Sequence, residues 1–269
     1  MCRHVAYLGP AVTLRSLIID PPHGLYHQAW EPRFQRYGTV NADGFGVGWY
    51  CPVDPDPARY RRTIPIWGDE SFADVARVTR ASAVLAAVRC ATPGTDLGPA
   101  PIAPFVSGPW LFSHNGVIDG WPGSAAGLAV TLPPDLLLGL EARVDSALLW
   151  ALVRHRLRLG LGPADALADT VATLDAAGVT GRFNFLLTDG QVIAATAAGD
   201  TLWYRQAGPA LIVASEPGDD EPGWIEVPGD CVVAATPQQV SVAKLDRQTA
   251  LDTPGPSTAM EGAQSVDFP

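Results

Sequence analysis

Five short apolar segments follow one another between Arg182 and Pro237, and their spacing constrains the fold more than any other feature. They are RFNFLLTDG, QVIAATAAG, TLWYR, ALIVASE and DCVVAATP. Most combine β-branched or aromatic residues with a Gly, Asp or Pro boundary, the pattern of strands closed by turns. A parallel pair needs a crossover of a dozen or more residues, and all the gaps but the last are shorter, so the closely spaced turn signals predict antiparallel strands.

Two helices are predicted just upstream, VDSALLWALVRHRLRLG and PADALADTVATLDAAG. The second has Pro163 in its first turn and Gly178 just past its end, the asymmetry that marks a helix start and stop. The N-terminal half reads as an opening strand HVAYL and a short helix LRSLIID. Two strands, GFGVGWY and RRTIPIW, then flank a proline-rich loop PVDPDP. A helix DESFADVARVTRA behind an aspartate cap precedes the strand SAVLAAVRC. A loop, ATPGTDLGPAPIAP, leads to the strand PWLFSH. Strands at both ends with helices between them predict an α+β fold with stacked sheets and helices outside.

The chain has 269 residues, near the upper size for one hydrophobic core, and shows no internal repeat. Residues 2–251 read as a single domain, and the polar Pro/Ser/Gly-bearing tail 252–269 as disordered. The net charge of -10 excludes a broad electrostatic grip on nucleic acid. No apolar run reaches bilayer length and the N-terminus lacks a leader pattern, so a cytoplasmic protein without membrane contact is expected. Cys2, Cys51, Cys90 and Cys231 show neither the paired spacing of a zinc site nor the density of a disulfide scaffold. They read as free thiols, and no metal or cofactor is expected.

Four stretches carry polar or glycine residues beside strands. In NADGFGVGWY the alternating glycines predict a tight turn into a strand that another backbone or a ligand approaches closely. RCATPGT places Arg89 at the end of an apolar strand, where its planar fork matches a carboxylate unless it only reaches for solvent. FSHNGVIDG contains Asn-Gly, a strong hairpin signal. The Asn115 amide and the Gly116 N–H are also a ready pair of donors for a developing oxyanion. In RVDSALLW, Asp145 suits a helix N-cap, and equally a substrate ammonium. Cys2 lies directly behind Met1 and becomes the first residue if that methionine is removed. His4 shares a strand face with Cys2, but two rises of ~3.3 Å separate them, so His4 reads as structural.

Taken in order, Met-Cys, NADGFG, RCATPG, FSHNG and an Asp opening a helix resemble the class II glutamine amidotransferase family of N-terminal-nucleophile hydrolases. The resemblance spans roughly residues 2–190. It implies a four-layer αββα sandwich of two antiparallel sheets between helical layers, in accord with the α+β reading. It implies Cys2 as nucleophile with its own α-amino group as base, and Asn115 and Gly116 as the oxyanion hole. Arg89 and Thr92 would hold the α-carboxylate of a glutamyl group and Asp145 its α-ammonium, with His114 also on the substrate side. Two departures, Ala147 where the family usually has a glutamate and Arg3 where many members have glycine, point away from free glutamine. The opening MCRH, RCATPGT, FSHNG and ASEPGDDEPGW further resemble the branch that releases glutamate from γ-glutamyl-hercynylcysteine S-oxide. That likeness implies a small-molecule γ-glutamyl substrate and leaves the oligomeric state open, the alternatives being a glutaminase subunit that supplies ammonia to a separate synthase and a catalytically silent γ-glutamyl-binding module. Trp224 and the run Asp219, Asp220 and Glu221 read as a solvated acidic turn more readily than as a pocket rim.

Overall fold

The computed structural model describes residues 2–38, 40–91 and 98–246. Thr92, the predicted end of the domain at 251 and the tail 252–269 lie outside the described residues. The N-terminal half contributes strands β1 (Arg3–Thr13), β2 (Phe45–Cys51), β3 (Asp54–Arg62), β4 (Arg80–Val88), β5 (Phe105–Ser107) and β6 (Trp110–Ile118). Helices α1 (Leu14–Ile18), α2 (Leu25–Gln28) and α3 (Glu70–Val78) fall between them. Helices α4 (Ala126–Ala129), α5 (Pro134–Leu138), α6 (Asp145–Arg158) and α7 (Pro163–Ala176) follow. The chain then runs through β7 (Gly181–Thr188), β8 (Ile193–Ala197), β9 (Trp203–Ala207), β10 (Ala210–Ala214), β11 (Ile225–Glu226), β12 (Cys231–Ala235) and β13 (Val240–Lys244).

The strands form two sheets, ordered β11-β9-β10-β1-β4-β2-β3 and β13-β12-β8-β7-β6-β5. Every pairing is antiparallel, and the short connections after Arg182 close the hairpins β7–β8, β9–β10 and β12–β13.

Alternation along β1 shows how the layers stack. Val5 and Tyr7 point to one side, where they meet Phe45 of β2 and Leu14, Leu17 and Phe72 of the α1–α3 layer. Ala6 and Leu8 point to the other, into a core shared with Leu111, Leu186, Ile193 and Val233 of the second sheet. The far face of that sheet, with Phe112, Phe183 and Phe185, packs on Leu148, Leu149, Leu167 and Val171 of α6 and α7. Three apolar layers between four structural layers give the αββα sandwich. Each fully buried Leu or Phe contributes roughly 1.5–3 kcal/mol, so the apolar central layer is the main force that holds the two sheets face to face.

Three local readings change. β3 begins inside PVDPDP, and Pro55 and Pro57 lie within it. β3 ends its sheet, where one row of N–H groups has no ladder partner to lose. The stretch after Arg62 leaves the sheet, and Ile66–Gly68 form a single 3₁₀ turn. Asn115-Gly116 is not a hairpin turn, since both lie within β6, opposite Asn184 and Phe183 of β7. Gly116 has φ 157°, and a Cβ there would collide with the Arg182 carbonyl, so close strand approach explains this glycine. The alternating glycines of β2 behave as expected. A side chain at Gly46 would strike the Ala103 carbonyl, and one at Gly48 would lie 2.7 Å from Leu111.

Candidate active site

At one end of the sandwich a pocket encloses about 510 Å³ of space, part of it open to solvent. Cys2, Arg89, His114, Gly116 and Asp145 all line it, although they are spread over more than half of the chain. Antiparallel register explains the gathering. Arg3 lies opposite Val88, which brings Cys2 beside the end of β4 where Arg89 and Cys90 emerge. The second sheet supplies the facing wall through β6, and α6 starts at Asp145 against it.

Cys2 is half-buried and reduced. Burial raises its thiol pKa above the ordinary value, while the N-terminal amino group, the Cys90 backbone amide and the Arg89 guanidinium oppose that rise. Arg89 is itself only 8% exposed, so its side chain does not reach for solvent. Its backbone is clamped to the NADGFG segment, with its N–H donating to Gly44 and its carbonyl accepting from Asp43. The Asp43 carboxylate in turn accepts the Ala91 N–H at 2.7 Å. The acidic residue of NADGFG thus fixes the backbone on either side of Cys90.

Asn115 occupies the inward face of β6, two residues beyond Ser113, whose hydroxyl meets His4 Nδ1 at 3.1 Å. His4 is likewise two residues from Cys2 on the inward face of β1. Asn115 is fully buried, and neither Oδ1 nor Nδ2 has a hydrogen-bond partner among the described residues. An amide left so is costly, by about 1–3 kcal/mol, and is the expected state of a donor reserved for a ligand.

His4 is buried, and burial with the charges of Arg3 and His114 pushes its pKa down to about 3. It is neutral near pH 7 and has a structural partner, in line with the structural reading. His114 is also held neutral by burial, against the opposing fields of Asp145 and Asp200. Its Nε2 lies 2.9 Å from the Arg182 carbonyl, which only accepts, so the proton sits on Nε2. Nδ1 therefore accepts from the Ser146 hydroxyl at 2.9 Å. With both nitrogens occupied, His114 offers a ligand its ring edge and no free hydrogen-bonding group.

Asp145 is the first residue of α6, and Val144 holds the cap position. The Asp145 carboxylate accepts the Ile118 N–H at 3.0 Å and the Ser146 N–H at 2.7 Å. The cap reading thus gives way to a strut between β6 and α6 whose oxygens still border the pocket. Ala147, where the family usually has glutamate, is buried against the helical-layer core. Sequence reasoning did not single out Ser146, or Ile102 and Phe105 of the apolar wall. Ser146 directly follows Asp145, and that adjacency was the only available signal.

The 216–224 loop belongs elsewhere. Asp219 binds Arg205 at 2.6 and 3.1 Å and accepts from Trp224 Nε1 at 2.9 Å. Asp219 and Trp224 line a separate cavity between β10 and the α1–α2 layer. Asp220 pairs with Arg33 and His23. Asp219 and Asp220 are thus paired, while Asp220 and Glu221 are solvated. Among the described residues there is no cluster of His, Cys, Asp or Glu fit for a metal, and no helix long and apolar enough to cross a membrane.

The gamma-glutamyl-hercynylcysteine sulfoxide hydrolase of Mycobacterium tuberculosis is 40% identical over 248 residues, 92% of this chain and 98% of that protein. Its namesake in Mycolicibacterium smegmatis is 41% identical over 91% of this chain and all of its own length. The chain belongs to the gamma-glutamyl-hercynylcysteine sulfoxide hydrolase family. Among solved structures, a glutamine aminotransferase class-II domain protein from Silicibacter pomeroyi superimposes with TM-score 0.67 at 22% identity, covering 91% of this chain and 99% of its own. The glutamine phosphoribosylpyrophosphate amidotransferase of B. subtilis matches with TM-score 0.64 at 16% identity, over 91% of this chain and 49% of its own. These two likenesses bear on the fold alone, and they give this hydrolase family the class II amidotransferase sandwich. No family model matches the chain.

Proposed function

We infer that this protein hydrolyses the γ-glutamyl amide bond of γ-glutamyl-hercynylcysteine sulfoxide and releases glutamate. It would act in the cytoplasm on a small molecule, without nucleic acid. The near full-length kinship supports the substrate, and the observation that carries the chemistry is the gathering of Cys2, Arg89, Gly116 and Asp145 around one pocket.

In this reading removal of Met1 frees the Cys2 α-amino group. An α-amine, with an ordinary pKa of about 7.7–8.0, takes the thiol proton through a water, and the Arg89 guanidinium and the Cys90 backbone amide offset part of the rise that burial imposes on the thiol. The thiolate attacks the γ-carbonyl carbon. Asn115 Nδ2 and the Gly116 N–H donate to the resulting oxyanion. The ammonium then returns its proton to the departing nitrogen, and the C–N bond breaks to leave a thioester on Cys2. Water, deprotonated by the same amine, attacks the thioester, and glutamate leaves with the thiol restored. Arg89 holds the α-carboxylate and Asp145 the α-ammonium. Thr92, outside the described residues, is proposed to add its hydroxyl to that carboxylate, and His114 serves as a brace for Ser146 and β7.

Intact-mass analysis together with glutamate release from γ-glutamyl-hercynylcysteine sulfoxide and from free glutamine tests the reading. The expected result is loss of Met1 and a strong preference for the sulfoxide. Retained Met1 in an active enzyme would refute the amine as base, and a preference for glutamine would refute the substrate.

A further inference from the structure

Arg3, beside the nucleophile, is fully buried, and its guanidinium reaches away from the pocket. Its Nε donates to Gln35 Oε1 at 3.1 Å, and that oxygen also accepts from Asn41 Nδ2 at 3.2 Å. Gln35 Nε2 donates to the Tyr37 carbonyl at 3.0 Å. Glu216, also fully buried, accepts the N–H groups of Arg33 and Phe34 at 3.0 and 2.7 Å. Three buried polar groups, Arg3, Glu216 and Asn41, thus peg one surface loop that has no helix or strand among its described residues.

The loop spans the end of the sandwich where the pocket lies. On one side it rests on Arg3, next to Cys2. On the other the Tyr37 ring lies 4.4 Å from the guanidinium of Arg182, whose carbonyl holds the pocket residue His114. It presents Phe34, 40% exposed and packed on Trp203, and Tyr37, 52% exposed. Between them Arg36 is exposed and forms no ion pair among the described residues. Aromatic faces attract a quaternary ammonium, and a guanidinium attracts a carboxylate. An aromatic–cation–aromatic edge therefore fits a betaine, in which both groups sit on one carbon.

We propose that the loop from Arg33 to Asn41 is the specificity element for the leaving group. Phe34 and Tyr37 receive its trimethylammonium end and Arg36 its adjacent carboxylate, while Arg3 and Gln35 are positioning residues. The assignment rests on the substrate inferred above and adds the part of it that the glutamyl site does not read.

The test compares kcat/KM for γ-glutamyl-hercynylcysteine sulfoxide with that for γ-glutamylcysteine, which keeps the scissile amide and lacks the betaine. Tyr37→Ala and Arg36→Met alter exposed side chains, and Gln35→Ala releases the loop by removing the acceptor of the Arg3 Nε hydrogen bond while keeping Arg3 itself. Each is expected to lower the preference for the sulfoxide about tenfold, through KM for that substrate and with its kcat retained. Preference unchanged in all three variants, or equal losses on both substrates, would overturn the assignment. A wild-type enzyme that shows no preference to begin with would instead overturn the substrate reading.

Discussion

Asn115→Ala separates a residue kept for catalysis from one kept for folding. In the folded protein its carboxamide has lost water at both Oδ1 and Nδ2 and gained no partner among the described residues. That arrangement costs about 1–3 kcal/mol. Truncation to alanine removes the cost and leaves a small cavity whose penalty is of similar size and opposite sign. Stability is therefore expected to change by less than ~1 kcal/mol in urea unfolding, with a rise as acceptable as a fall. The rate should behave differently. Loss of one preorganised oxyanion donor typically lowers kcat by roughly 100- to 1000-fold with a smaller effect on KM. Steady-state glutamate release on the purified variant, beside the unfolding curve, reads both quantities from one preparation. A variant destabilised by more than ~2 kcal/mol with kcat intact would refute the reasoning, because it would mean that Asn115 finds its partners within the folded chain.

The remaining predictions concern the nucleophile, the glutamyl clamp and acid stability. Cys2→Ala should abolish turnover while isothermal titration still detects binding of the γ-glutamyl substrate; turnover near the wild-type rate would end the mechanism. Arg89→Ala should lose its preference for the free α-carboxylate over an ester, and Asp145→Ala its preference for the free α-amine over an N-acyl analogue. Each loss is expected to be on the order of 2–5 kcal/mol in kcat/KM, and unaltered selectivity in a folded variant would assign the residue to structure alone. His4 titrates at about 3 in the folded protein because it is buried beside Arg3, against an ordinary value near 6.5. Above pH 6.5 neither state is protonated there and His4 makes no pH-dependent contribution. Below it the unfolded chain binds a proton that the folded chain refuses, so stability falls by ~1.4 kcal/mol per pH unit until about pH 3. Unfolding curves between pH 7.5 and 4.5 should show that slope, with buried His114 adding in the same direction, and His4→Gln should flatten it.

The parts of this fold that could be read in advance are those whose cause is local. The strands from β7 to β10 and β12 are specified by β-branched and aromatic runs closed by Gly, Asp or Pro, and helix α7 by Pro163 and Gly178 at its ends. Misreadings arose where the cause is tertiary. Asn115-Gly116 has the composition of a turn, yet its glycine answers to the Arg182 carbonyl, sixty-odd residues further along the chain. Pro55 and Pro57 forbid a central strand but not an edge, and edge status depends on which strands arrive later. The pocket behaves the same way. Residues whose chemistry is visible in a motif, Cys2, Arg89, Gly116 and Asp145, line it together, whereas Ser146 and the apolar wall carry no motif of their own.

Arg3 shows where motif reading ends. In the sequence it is only a large basic residue where a glycine is usual. In the fold its guanidinium is fully buried, its charge balanced by Glu216 and Asp200, and burial still lowers its pKa below the ordinary value. Its one side-chain hydrogen bond among the described residues goes to Gln35, while Nη1 and Nη2 have none. Glu216 and Asp200 lie about two hundred residues away, so no local window contains the reason for this charge. Desolvating a guanidinium costs several kcal/mol, and a small apolar residue would stabilise the same position more cheaply. The contact that distinguishes Arg3 from such a residue is the hydrogen bond to the Arg33–Asn41 loop. Its physical sense lies in holding that loop against the strand that carries the nucleophile.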